Sequence, residues 1–214
     1  MNKKIAERNI KLQARINFLS GMVFLVPIIT LLYQYTGLSI VEIILISNVS
    51  TIAVRLFELP TSVFADTMGR KKSLVISVIC NFLSALVIFL FPSFTGFIVA
   101  AIFSGLYWSF WSGTGQAFLE ENLRSIGKEK EFGKKIGHFM SLEALTGIIT
   151  PLIASGLLKY FGNNGYTILA GLDVIFAIVL VILTLQLKEH NFIQEKFNSF
   201  KEMFSKNLNV AKTA

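Results

Sequence analysis

A single cysteine and two histidines in 214 residues leave little material for metal or redox chemistry. Cys80 alone allows no intramolecular disulfide and no multi-cysteine metal site, and its place inside an apolar run reads as a small packing residue. His138 and His190 have no zinc-type spacing, and no Walker loop, Ser/His/Asp set or nucleotide-binding glycine fingerprint occurs. An ATP-driven pump is therefore unsupported, an enzyme is not expected, and no cofactor is implied. Charge is scarce as well: Asp, Glu, Lys and Arg make up 15% of the chain, against 53% hydrophobic residues and a mean hydropathy of +0.63. A soluble domain must cover its surface with polar groups, so this balance points to lipid as the solvent. The net charge of +7 could suggest nucleic acid, but the basic residues punctuate apolar segments of membrane-spanning length, which argues against a nucleic-acid partner.

Six apolar segments approach the roughly 20 residues needed to cross a bilayer: Ile16–Tyr33, Ile40–Ala65, Ser73–Phe91, Phe94–Phe118, Phe139–Leu158 and Tyr166–Leu187. Residues 1–15 are basic and polar, and no small-residue cleavage site follows, so the first segment is expected to be an uncleaved helix. The Lys and Arg residues set the orientation. They fall in the N-terminal stretch (Lys3, Lys4, Arg8, Lys11, Arg15), the loop after span two (Arg70, Lys71, Lys72), the loop after span four (Arg124, Lys128, Lys130, Lys134, Lys135) and the tail (Lys188, Lys196, Lys201, Lys206, Lys212). Only Lys159 lies in an opposite loop, and Arg55 lies inside a span. The positive-inside rule places both termini in the cytoplasm of a multi-pass protein of the cell membrane. The bundle is expected over residues 1–187. Residues 188–214 form a tail in which Ile193, Phe197, Phe200, Phe204 and Leu208 recur at helical spacing, the pattern of an amphipathic helix on the inner leaflet.

Ionisable groups are costly in hydrocarbon and must face water or a partner. In span two, Asn48, Thr51, Arg55, Glu58, Ser62 and Asp66 fall within an arc of about 80° at 100° per residue. That stripe cannot face lipid. Arg55 and Glu58 are spaced to pair on the helix surface, either as a packing device or as the lining of a water-filled path in which Glu58 takes a proton or cation. Pro60 removes one helical amide close by. In span four, Trp108 and Trp111 lie mid-span, followed by Gln116. They form either one wall of a cavity for an apolar or cationic compound or ordinary helix packing. Asp173 in span six lines the cavity or faces outside water.

The loop after span two reads Pro60-Thr-Ser-Val-Phe-Ala-Asp66-Thr-Met-Gly69-Arg70-Lys71-Lys72. Asp66 ends a helix and Arg70 and Lys71 begin one, so each charge has the wrong sign for its own helix dipole, and partners on other helices are implied. This segment resembles the signature of the major facilitator superfamily, Gly-x-x-x-Asp-x-x-Gly-Arg-Lys/Arg in the same loop. Asp66, Gly69, Arg70 and Lys71 match it, whereas Ser62 stands in place of glycine and Thr67 in place of a basic residue. The resemblance covers the chain as the N-terminal half of a twelve-helix transporter. It implies an all-α membrane protein whose six transmembrane helices form two inverted three-helix repeats, with a small-molecule substrate bound between halves. It also implies a charge network in which Asp66 and Arg70 meet an acid at the end of span four, Glu121 or else Glu120, holding the cytoplasmic side shut.

The small residues and Pro151 of span five are a degenerate match to an exporter signature, which leans toward efflux, and Glu143 is a further candidate for the charge network. The leading function is ion-gradient-driven transport by alternating access in a half or truncated form, completed by a second half-transporter or a homodimer. The alternative is a non-transporting regulatory or assembly partner that keeps the half-fold, and an intramembrane enzyme ranks last.

Overall fold

The computed structural model describes residues 3–189. The tail pattern from Ile193 to Leu208 lies outside them. The described residues form eight α-helices and no strand: α1 (Lys3–Ser20), α2 (Ile29–Tyr35), α3 (Ile40–Met68), α4 (Arg70–Leu90), α5 (Phe94–Trp111), α6 (Thr114–Arg124), α7 (Phe132–Phe161) and α8 (Asn164–Leu185). Short 3-10 turns, Val26–Ile28 and Glu129–Glu131, precede α2 and α7. Among the described residues, five helical segments are long and apolar enough to cross a membrane: Ile40–Met68, Arg70–Leu90, Phe94–Arg124, Glu129–Phe161 and Asn164–Leu185.

The first expected span is corrected. Ile16–Tyr33 is not one helix: α1 stops at Ser20, and a shorter apolar segment, Val26–Tyr35, resumes after a break. Two features account for the interruption. Pro27 opens the 3-10 turn, where its missing amide costs nothing. Inside the break, the amides of Phe24 and Leu25 donate to Asp173 Oδ1 and Oδ2 at 2.6 and 3.1 Å, so the opened backbone is satisfied by a carboxylate from α8. The expected Phe94–Phe118 helix is also interrupted, at Ser112–Gly113, where Gly113 takes φ +72°, a left-handed value favouring glycine.

The remaining long helices begin and end for local reasons. Ser39 caps α3 in a capping box: its hydroxyl accepts from the Glu42 amide at 3.4 Å while its own amide donates to Glu42 Oε2 at 2.8 Å. Ser93 accepts from the Gly96 amide at the start of α5. Element lengths recur along the chain. An 18-residue helix, a short segment, a 29-residue helix and a 21-residue helix are followed by helices of 18, 11, 30 and 22 residues. Pro60 in α3 and Pro151 in α7 occupy corresponding places.

α4 packs between α5 and α8, α3 lies along α5, and α1 lies against α6, α7 and α8. α3 and α5 cross at Gly105, where a Cβ would lie 2.5 Å from Ala53 Cβ and 2.8 Å from the Ser50 carbonyl oxygen. Hydroxyls bind the same helices together: Thr61 donates to the Ser109 carbonyl at 2.9 Å, Ser109 to that of Val54 at 3.0 Å, and Ser77 of α4 to that of Tyr107 at 3.0 Å. Small residues and hydroxyl bonds suit packing where lipid removes the hydrophobic drive between helices. One apolar cluster (Phe24, Leu32, Ile46, Phe97, Leu169) fills the end carrying α2, and another (Leu12, Ile16, Leu74, Phe118, Leu180, Leu187) fills the end carrying the basic loops.

Candidate functional site

At the basic end, the turn between α3 and α4 meets two other elements. Gly69 takes φ +99°, a conformation available chiefly to glycine, and lets α4 start at once. Arg70 Nε stands 2.7 Å from Glu121 Oε1 of α6, with both side chains about four-fifths buried. The Lys71 amide donates to Glu189 Oε1 at 3.2 Å, so a carboxylate caps the exposed N-terminus of α4, where the helix dipole favours an anion. A Cβ on Gly69 would lie 2.9 Å from that carboxylate. Asp66 and Glu189 are the further carboxylates whose charge reaches Glu121. Gly69, Arg70 and the Lys71 amide thus meet Glu121 and Glu189, while the exposed Asp66 lies one turn earlier at the end of α3. Glu120 does not join them; it pairs with Arg124 at 3.5 Å on the surface.

Asn9 ties the same end to α1. Its side-chain amide donates to Asn122 Oδ1 at 2.9 Å and to the Lys188 carbonyl at 2.8 Å, while its own oxygen accepts from the Lys188 amide at 3.1 Å. Both asparagines are almost wholly buried. The segment after α8 is therefore held against α1 by Asn9 and against α4 by Glu189. Neither residue was singled out from the sequence. Asn9 carries a readable signal, since it sits on the face of α1 that also carries Ala6, Ile10, Gln13 and Ile16.

Asn48, Thr51, Arg55, Glu58, Ser62 and Asp66 are all exposed along α3, on the face turned away from Ala53, Thr61 and Ala65. Arg55 Nη1 lies 3.4 Å from Glu58 Oε2, a long contact with side-chain exposures of 78% and 51%. The pair is not buried in the helix packing of this chain. Trp108, Trp111 and Gln116 come together elsewhere, in a cavity of about 270 Å³ completed by Gln13, Asn17 and Glu143. Asn48, Thr51, Arg55 and Glu58 do not line it. The Tyr107 ring lies tilted beside both tryptophans, at centroid distances of 5.1 and 5.9 Å. A larger cavity of about 510 Å³ opens at the other end, among α2, α3, α4, α5 and α8. Asp173 lines it, together with Tyr33, Ser50, Asn81 and Ser104. Among the described residues no group of three His, Cys, Asp or Glu side chains could hold a metal ion.

Long apolar helices, an interrupted first segment satisfied by a buried carboxylate, and a charged turn paired with a neighbouring helix are the features of a multi-pass helical membrane protein. Residues 14–208 match the Major Facilitator Superfamily, and the chain belongs to that family of transporters. It is also similar to an uncharacterized MFS-type transporter of Methanocaldococcus jannaschii, with 25% identity over 142 residues, covering 66% of this chain and 36% of the relative. The chain therefore matches about a third of that relative's length.

Proposed function

We propose that the chain forms one half of a secondary transporter, with six crossings arranged as two inverted repeats and both ends in the cytoplasm. The recurrent order of helix lengths supports the repeat, with α1 to α4 answered by α5 to α8. The shorter Val26–Tyr35 segment completes the first crossing in tandem with α1. The observation that carries the transport reading is the uncovered polar stripe of α3. A membrane helix cannot present Asn48, Thr51, Arg55 and Glu58 to lipid, and among the described residues no other helix covers them. A second half would meet this face and enclose a water-filled path. The Trp108 cavity would then form part of the substrate's surroundings.

In this reading the Arg70–Glu121 pair and the Glu189 cap form the cytoplasmic latch, which must open for alternating access. An ion gradient drives the cycle, with Glu58 as the group that takes the proton, and efflux is the favoured direction. The test is transport by the purified chain in liposomes, alone and with the product of any adjacent reading frame. Substrate accumulation that follows an imposed proton gradient and disappears in Glu58→Gln supports the proposal. Unchanged coupled transport in Glu58→Gln removes that role, and absence of transport under both conditions contradicts the transporter reading.

A further inference from the structure

One strongly charged face of the bundle takes no part in the latch or in either cavity. Lys4, Arg8, Lys11 and Arg15 are spaced 4, 3 and 4 residues apart on α1, which sets them on one face within about 60°. All four are exposed, while the opposite face of α1 is buried. Beside them, a groove of about 380 Å³ runs between α1 and Gln186, just past the end of α8. Leu12 contributes to it, and it contains one acid, Glu7. Among the described residues, no carboxylate forms an ion pair with Arg8, Lys11 or Arg15. Like charges three and four apart on one helix repel. Arg8, Lys11 and Arg15 therefore form a concentration of positive charge that a bound anion would offset.

The neighbouring surface decides what kind of anion fits. On α8, Ile175, Ile178, Ile182 and Leu185 are exposed at helical spacing and form an apolar ridge running to Gln186 and the groove. A free anion would use the charges and leave the ridge unused. A ligand with a phosphate head and acyl chains uses both. The groove also lies at the end of the bundle where a headgroup would sit, because the Lys- and Arg-rich loops gather there.

We propose that this groove binds the headgroup of an anionic phospholipid. Arg8, Lys11 and Arg15 surround the phosphate, and an acyl chain lies along the α8 ridge. Arginine suits this task because its planar fork can donate two parallel hydrogen bonds to phosphate oxygens. The site rests on the multi-pass membrane assignment but not on the transport reading. Its effect would be to fix the N-terminal part of α1 at the membrane surface, on the reverse side of the helix from Asn9 and the Lys188 backbone.

The test is native mass spectrometry of the detergent-solubilised full chain, titrated with phosphatidylglycerol and, separately, with phosphatidylcholine of the same acyl chains. Phosphatidylglycerol is expected to bind about tenfold more tightly or better, given the usual attraction per basic residue near a membrane surface. The Arg8→Gln/Lys11→Gln/Arg15→Gln variant is expected to lose that preference. Lys130→Gln/Lys134→Gln/Lys135→Gln removes the same charge from the start of α7 and the turn before it and is expected to keep it. Equal affinity for the two lipids overturns the proposal, as does equal loss in both variants. Displacement of phosphatidylglycerol by inorganic phosphate at millimolar concentration also overturns it, since the site would then be one for free anions. Should the triple variant fail to fold, Lys11→Gln and Arg15→Gln serve singly. Each is expected to weaken phosphatidylglycerol binding about threefold or more, and no change in either contradicts the site.

Discussion

Gly69 is confined by both its backbone and its neighbour. Its φ of +99° strains any side chain, and the Glu189 carboxylate occupies the space a Cβ would need. Gly69→Ala is expected to destabilise the protein by about 1–3 kcal/mol, measured as a lower unfolding temperature in detergent. An unchanged melting temperature would show that the turn relaxes freely. The Arg70–Glu121 pair invites a double-mutant cycle with Arg70→Ala and Glu121→Gln. A coupling of about 1–3 kcal/mol is expected for a largely buried contact, and additive effects would mean the two charges are independent. That Arg70 needs an anion on another helix was legible in the sequence, because Arg70 begins a helix whose dipole disfavours it, whereas Glu121 or Glu120 as that anion came only from the family resemblance. Glu189 was not legible. It reaches Lys71 across 118 residues of chain, and no local period or spacing points from one to the other.

At the scale of elements, the long helices were readable and the interruptions were not. Ile40–Ala65 and Ser73–Phe91 were close to α3 and α4 because continuous apolar runs of that length have few alternatives in a membrane. The break after Ser20 was hidden because Gly21–Leu25 is as apolar as its surroundings. Its cause lies in α8, where Asp173 accepts the two freed amides. Asp173→Leu removes both acceptors, and hydrogen exchange at Phe24 and Leu25 is expected to accelerate about tenfold or more. Asp173→Asn keeps one acceptor oxygen and is expected to fall between. Protection that survives Asp173→Leu would mean another group satisfies the break. The α3–α5 crossing is as demanding. Gly105→Val would press into Ala53 and the Ser50 carbonyl, at an expected cost of about 1–3 kcal/mol in thermal stability. Wild-type stability would indicate that the helices separate without penalty.

For the whole molecule, the distribution of polarity matters most. Among the described residues α3 is packed on one side only, and its other side carries a row of hydrophilic residues that no described helix covers. The periodicity of Asn48, Thr51, Arg55 and Glu58 was plain in the sequence. Their separation from Trp108 and Trp111 was not, because facing directions across different helices depend on how those helices cross. The central claim is that this row borders water inside the membrane. Its most direct test is thiol accessibility in intact membranes, with Cys80 replaced by serine and single cysteines placed at 48, 51, 55 and 58, and at 175 and 182 on α8. The account predicts that a membrane-impermeant thiol reagent modifies the α3 positions about tenfold faster or more than those on the apolar α8 ridge. Equal, slow modification at both sets of positions would place the α3 row against lipid and contradict it.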